Sequence, residues 1–191
     1  VLTKKHKTTV YAQSRTLRKL LNENYISPLS DARELDISVT ISDMKITAFD
    51  TPHDAEQSCG YRIDFEDGAS CAVCTDLGYV TSAVDTAVSG VGTILLESNY
   101  DEDMLLWGSY PRHLKQRICS ERGHLSNPAS AEQALKLIKN GTKTIILGHL
   151  SQENNTPEIA ERVVAEKLSA YTRDKDYILK VADSDNIETV V

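Results

Sequence analysis

The 191-residue chain has no excess of positive charge, no apolar run of membrane-span length, no disulfide-rich cysteine pattern and no glycine-rich phosphate turn. Each absence narrows what it does. Acidic residues outnumber basic ones by 28 to 21, for a formal net charge of -7. That balance argues against a broad basic face wrapped on nucleic acid, although it leaves room for a local basic patch beside a cation. Without about 20 consecutive apolar residues there is no candidate membrane span, and the first residues carry no basic-then-apolar leader. The expectation is a soluble, cytoplasmic protein with no membrane partner. No strand-like run leads into a glycine-rich turn, which excludes dinucleotide-binding and P-loop readings. The four cysteines, Cys59, Cys71, Cys74 and Cys119, do not form a disulfide framework that a chain of this size would need. Cys71 and Cys74 make a CxxC, but within a strand-like stretch an odd separation points the thiols to opposite faces. They read as small core residues rather than as half of a zinc site.

What is present is an alternation of strand and helix patterns. "QSRTLRKLLNEN" places Leu17, Leu20 and Leu21 at helical spacing, after an opening read as the tail of a helix running into a short strand. "ISVTISDMKITAFDTPHD" predicts two strands broken at Ser42 and Asp43. "CGYRIDFEDGASCAVCTDLG" predicts a hairpin turning at Asp67 and Gly68. A short helix capped by Thr81 or Ser82 follows, then the strand "GTILLESN", whose unbroken apolar centre predicts burial on both faces. Asp101 to Gly123 is polar and reads as loop, basic at "RHLKQR". "NPASAEQALKLIKNG" predicts a helix with Asn127 as its cap, Pro128 in the first turn and Gly141 closing it. "TKTIILGHLS" is a further buried strand, "TPEIAERVVAEKLSAYTRD" a capped amphipathic helix, and the last residues read as strands. Hairpins followed by alternating strands and helices predict a single layered α/β (α+β) domain over 1–191 with a mixed sheet.

Several apolar strands end in a residue able to do chemistry. His53 follows "AFDTP", Asp76 follows "CAVCT", Glu97 follows "TILL" and His149 follows "TIILG"; His124 in "RGHLSNPAS" precedes a helix. Strand ends of a packed sheet gather on one edge, where a rigid scaffold fixes a side chain and the loop leaves it open to a ligand. Imidazole and carboxylate together suit zinc or manganese. Any one histidine at such a place is more often a hydrogen-bonded structural residue, so the repetition carries the reading.

With these segments in view, "TPHDAEQSCGYRI", "CTDLGYVT", "LLESNYDEDMLLWGSYPRHLKQRICSERGHLSN" and "LGHLSQENNTPEIA", the sequence resembles the metallo-β-lactamase-fold hydrolases, in particular the YycJ/WalJ-like group related to ribonuclease Z. The resemblance covers nearly the whole chain. It implies an αββα sandwich with a two-metal site along one edge, holding zinc or manganese. His53 and His149 would be metal ligands and Asp76 the carboxylate bridging both ions. Glu97 and His124 resemble the pair in which the carboxylate orients the imidazole, which protonates the leaving oxygen.

Two departures bear on this. The family's HxHxDH string is absent, while His6 and His113 stand alone. With the abrupt start at Val1, the expectation is the C-terminal part of a longer hydrolase, N-terminally incomplete, the rival explanation being natural loss of the motif. Such a chain would hold at most one weakly bound ion and would associate through unpaired sheet edges. The second departure is Tyr100, where close relatives are expected to have histidine.

For function, the resemblance favours a metal-dependent phosphodiesterase acting on nucleic acid, DNA ahead of RNA, as an exonuclease. Arg112, Lys115, Arg117 and Arg122 lie together before His124 and are candidates to meet phosphates, set against a merely solvated face. The alternatives are hydrolysis of a small ester, thioester or lactam, and a noncatalytic binding module on the same fold.

Overall fold

The computed structural model describes residue 6 and residues 8–182. A parallel pair, β1 (Val10–Ala12) and β2 (Ala32–Glu34), encloses helix α1 (Ser14–Asn22). A seven-stranded mixed sheet follows, with its strands in chain order: β3 (Ser38–Ile41), β4 (Met44–Asp50), β5 (Cys59–Phe65), β6 (Ser70–Cys74), β7 (Thr93–Glu97), β8 (Thr144–Gly148) and β9 (Ile178–Val181). The first four pair antiparallel and the last four parallel, so β6 belongs to both halves. The antiparallel half is built from tight turns. Ser42, with φ +54°, turns β3 into β4; Gly68, with φ +88°, turns β5 into β6, and Asp67 Oδ1 there accepts the Ala69 N–H. A positive φ is easy for glycine, which has no Cβ.

Helices α2 (Ser82–Val88), α3 (Glu102–Trp107), α4 (Arg112–Ile118), α5 (Asn127–Lys139) and α6 (Pro157–Lys167) connect the parallel strands. Alternate residues of those strands, Ala72 and Cys74, Ile94 and Leu96, Ile145 and Leu147, join Val84 and Val88 of α2, Ala134 and Leu137 of α5 and Val164 of α6 in one core. Each large aliphatic side chain sealed there contributes about 1.5–3 kcal/mol. The opposite face of the sheet is only partly covered: Leu95 and Ile146 are half-buried and Val73 is 37% exposed. Burial on both faces of β7 is therefore met on the helical face alone.

Two further expectations are corrected. The basic stretch is not a loop, because Arg112–Ile118 forms α4, entered from Pro111. The cap of α5 is Ser126, whose hydroxyl accepts the Ala129 N–H. Asn127 sits one residue inside, fully buried, with its amide bonded to Ser98 and Asn155. The predicted final strand is β9; the rest of that stretch, and most of the opening helix, lie outside the described residues.

The topology decides where the chemistry sits. β4 and β6 are both antiparallel to β5, so they run the same way, and β7 and β8 run parallel to β6. All four C-terminal ends reach one edge of the sheet, where Glu97 ends β7 and His53, Asp76 and His149 lie one to three residues beyond β4, β6 and β8.

Candidate metal centre

The β7–β8 register sets Glu97 beside Gly148, one residue before His149. Glu97 is completely buried and all its acceptor capacity is used. Its Oε1 accepts from His124 Nδ1 at 2.9 Å and from His149 Nδ1 at 2.6 Å. Its Oε2 accepts the backbone N–H groups of Leu77 at 3.0 Å and Leu125 at 3.2 Å. Burial alone would raise its pKa, but the hydrogen bonds from His124, His149 and Leu77 outweigh it and hold the carboxyl below its ordinary value. An ionised carboxylate only accepts, so each imidazole gives it an Nδ1–H and keeps Nε2 for other work. The same bond to Glu97 raises the pKa of His149.

Asp76 stands in front of this buried pair, its side chain 42% exposed. Asp76 Oδ1 lies 3.7 Å from His53 Nε2, 3.6 Å from His149 Nδ1 and 3.9 Å from His124 Nδ1, none at hydrogen-bond distance. The rings of His53 and His149 flank that of His124, with centroids 4.8 Å and 5.2 Å away. His53 donates Nδ1–H to the Gly123 carbonyl at 2.8 Å. Its Nε2 faces two carboxylates, Asp76 at 3.7 Å and Asp54 at 3.4 Å. A ring nitrogen and two carboxylates converging on one place favour a positive charge between them, a proton or a metal ion. One carboxylate and two imidazoles are a zinc- or manganese-type donor set, and two bonds of about 2.0–2.1 Å to one ion put ligand atoms about 3.4 Å apart, close to the 3.7 Å between His53 Nε2 and Asp76 Oδ1. The residues fit a divalent ion. Asp76, Glu97, His124 and His149 cluster tightly enough for all four to be metal donors on distance alone, but Glu97 has no acceptor site left. It lies behind the imidazoles and holds both by their Nδ1 atoms.

Backbone strain marks the same places. Asp76 has φ +57° and His149 φ +56°, a left-handed conformation that costs a residue with a Cβ about 1–3 kcal/mol and persists only where neighbours enforce it. Asn99 Nδ2 donates to the His149 carbonyl at 2.7 Å, and the Ser98 N–H donates to that of Gly148.

The four candidates at the strand ends and His124, before α5, are thus brought together. The basic residues are differently employed. Arg117 forms a two-pronged pair with Asp54, and Arg122 donates to the His53 carbonyl. Lys115 Nζ donates to the Leu106 and Gly108 carbonyls at 2.7 Å, and Arg112 is exposed at the start of α4. Tyr100 is buried against Leu105 and Ile118, and burial raises its pKa. It belongs to a satellite core. Sequence reasoning missed Asp54, although it follows His53 directly, and it missed Asn99, two residues after Glu97. Nothing in the order of residues pairs either with its partner.

The description "Beta-lactamase superfamily domain" matches residues 1–150. The chain belongs to the beta-lactamase superfamily. Among curated members it is 36% identical over 173 residues to a Streptococcus pneumoniae protein named exodeoxyribonuclease WalJ, covering 88% of this chain and 64% of that one. It is 33% identical over 172 residues to exodeoxyribonuclease YycJ of Bacillus anthracis, again covering 88% and 64%. The chain thus spans under two thirds of the length of these relatives. Among solved superfamily structures, zinc-bound PqqB of Methylobacterium extorquens shares the fold with a TM-score of 0.68 at 15% identity, over 95% of this chain and 65% of that one. These matches agree with the resemblance on which a metallo-β-lactamase fold with a mixed sheet was expected.

Proposed function

We propose that this superfamily member takes part in metal-dependent phosphodiester hydrolysis, with DNA as its substrate, attacked from an end. The observation carrying this reading is the shared carboxylate: Glu97 Oε1 holds His124 and His149 at once, tying a candidate acid to a candidate metal ligand. The exodeoxyribonuclease names of the two curated relatives support the choice of DNA.

His53, Asp76 and His149 hold the ion, and three ligands suffice for one ion with open positions. Asp76 would be the carboxylate able to serve a second ion as well. When bound, such ions lower the pKa of water and polarise a phosphoryl oxygen. The protein's own residues do the rest. Glu97 fixes both rings through Nδ1, so His149 presents Nε2 to the ion and His124 uses Nε2 to pass a proton to the departing oxygen. Asp54, engaged by Arg117, keeps the His53 loop in place.

The test is hydrolysis of 5′- or 3′-labelled linear DNA by the chain with added manganese or zinc. His124→Ala lowers turnover about 100-fold or more while leaving metal affinity unchanged, and Asp76→Ala removes both. Cleavage of a thioester or lactam with no action on phosphodiesters would contradict the reading, as would full activity in His124→Ala.

A further inference from the structure

Charge is spread unevenly over this acidic chain. Arg15, Arg18 and Lys19 stand on one face of α1 at spacings of three and four residues, where like charges repel. They line a surface cleft of about 580 Å³ with Asn22, Glu23 and Glu56. Among the described residues, Arg15 and Lys19 have no side-chain hydrogen bond or ion pair. Arg18 Nε donates only to the Ser14 carbonyl of its own helix. Covalent and hydrogen-bonded links join the cleft to the segment that carries His53. Glu56 is three residues from His53, and Gln57 fastens the loop to α1: its Oε1 accepts the Arg15 N–H at 3.1 Å and its carbonyl accepts the Thr16 hydroxyl. Ser58 Oγ then donates to the Asp76 carbonyl at 3.4 Å. One short segment therefore joins the unpaired cations to His53 and Asp76.

Every residue lining the cleft is charged or an amide, which suits a polyanion and gives a base or an apolar ligand nothing to stack on. The basic residues nearest His124 cannot serve as freely, since Lys115, Arg117 and Arg122 are engaged within the protein. We infer that the α1 wall of this cleft binds the phosphodiester backbone of the DNA strand whose end lies at the metal centre. Arg15, Arg18 and Lys19 contact successive phosphates, and Glu23 and Glu56 confine the strand to that wall. The inference rests on the nuclease reading above and deepens it.

The experiment is fluorescence anisotropy of a labelled single-stranded oligodeoxynucleotide with the 191-residue chain, in chelator so that nothing is cut, across a salt series. Against wild type stands Arg15→Gln/Arg18→Gln/Lys19→Gln, which keeps good helix formers on an exposed face. Losing three phosphate contacts weakens binding by about 10-fold or more at low salt and flattens the logarithmic salt dependence by about 2. Glu56→Gln tightens binding. If the triple variant melts early, Arg15→Gln and Lys19→Gln alone carry the test, each flattening the dependence by about 0.7. Wild type that binds DNA as its triple variant does, with the same salt dependence, overturns the cleft and leaves the nuclease reading standing. Wild type that binds no DNA at any salt overturns both.

Discussion

At the scale of the residue, Glu97 is the hub of the hydrogen bonds at the sheet edge. Buried, ionised and accepting four N–H groups, it sets the tautomer of two imidazoles and ties their loops to the end of β7. Glu97→Gln keeps the shape but turns an amide NH2 toward groups that are themselves donors. In urea denaturation with chelator present, we expect this variant to lose about 1–3 kcal/mol. Its zinc affinity, read by competition with a chromophoric chelator, falls about 10–100-fold. Unchanged stability and affinity would show that the carboxylate is incidental. This centre was half legible in the sequence. An apolar run ending in a His or a carboxylate announces a side chain at a sheet edge, and four such residues converge, joined by His124 from the segment before α5. That one oxygen of Glu97 takes two histidines depends on strand register and on His149 adopting φ +56°, neither of which is written in residue order.

At the scale of the element, the segments around His53 and His124 are laced together. The Asp54 N–H donates to the Arg122 carbonyl, the Arg122 guanidinium to the His53 carbonyl and His53 Nδ1 to the Gly123 carbonyl. Gly123 admits no substitute, since a Cβ there would stand 2.1 Å from the Ile118 carbonyl oxygen at the end of α4. Arg117 secures the lacing by bonding Asp54, whose carboxyl it holds down at about 2 against the small opposing effect of burial. A carboxyl with a lowered folded pKa stabilises the fold above its unfolded value of about 4 and ceases to as pH falls toward 2. Arg117→Ala should therefore remove part of the acid-induced loss of stability between about pH 4 and pH 2, measured by denaturation in chelator, with little effect on the slope near neutrality. The pair is partly exposed, so the change is modest. An acid limb identical to wild type would contradict the tie. Helix α4 was not legible because seven residues between Pro111 and Cys119 offer too short a period to separate from a basic loop. The cap of α5 was misplaced by one because Ser126 and Asn127 are both good caps, and only the buried amide network with Ser98 and Asn155 assigns Asn127 elsewhere.

At the scale of the whole molecule, the mixed sheet is what gathers the chemistry. The hairpin signal at Asp67 and Gly68 and the apolar strands β7 and β8 were plain in the sequence, whereas the directions that set the ends of β4, β6, β7 and β8 on one edge come from the pairing. The net charge of -7 was also informative, since in such a chain the basic face of α1, with no ion pair among the described residues, is a local exception in an acidic background. What composition could not show is which basic residues are already spoken for; Arg117 and Arg122 look free in sequence and are bound in the fold. The central claim is that His53, Asp76 and His149 share one divalent ion. Calorimetric titration of the metal-stripped chain with zinc, set beside Asp76→Asn, tests it most directly. The account predicts saturable binding of one ion per chain that is lost in Asp76→Asn while the variant remains folded; equal binding by both proteins, or none by the wild type, would contradict it.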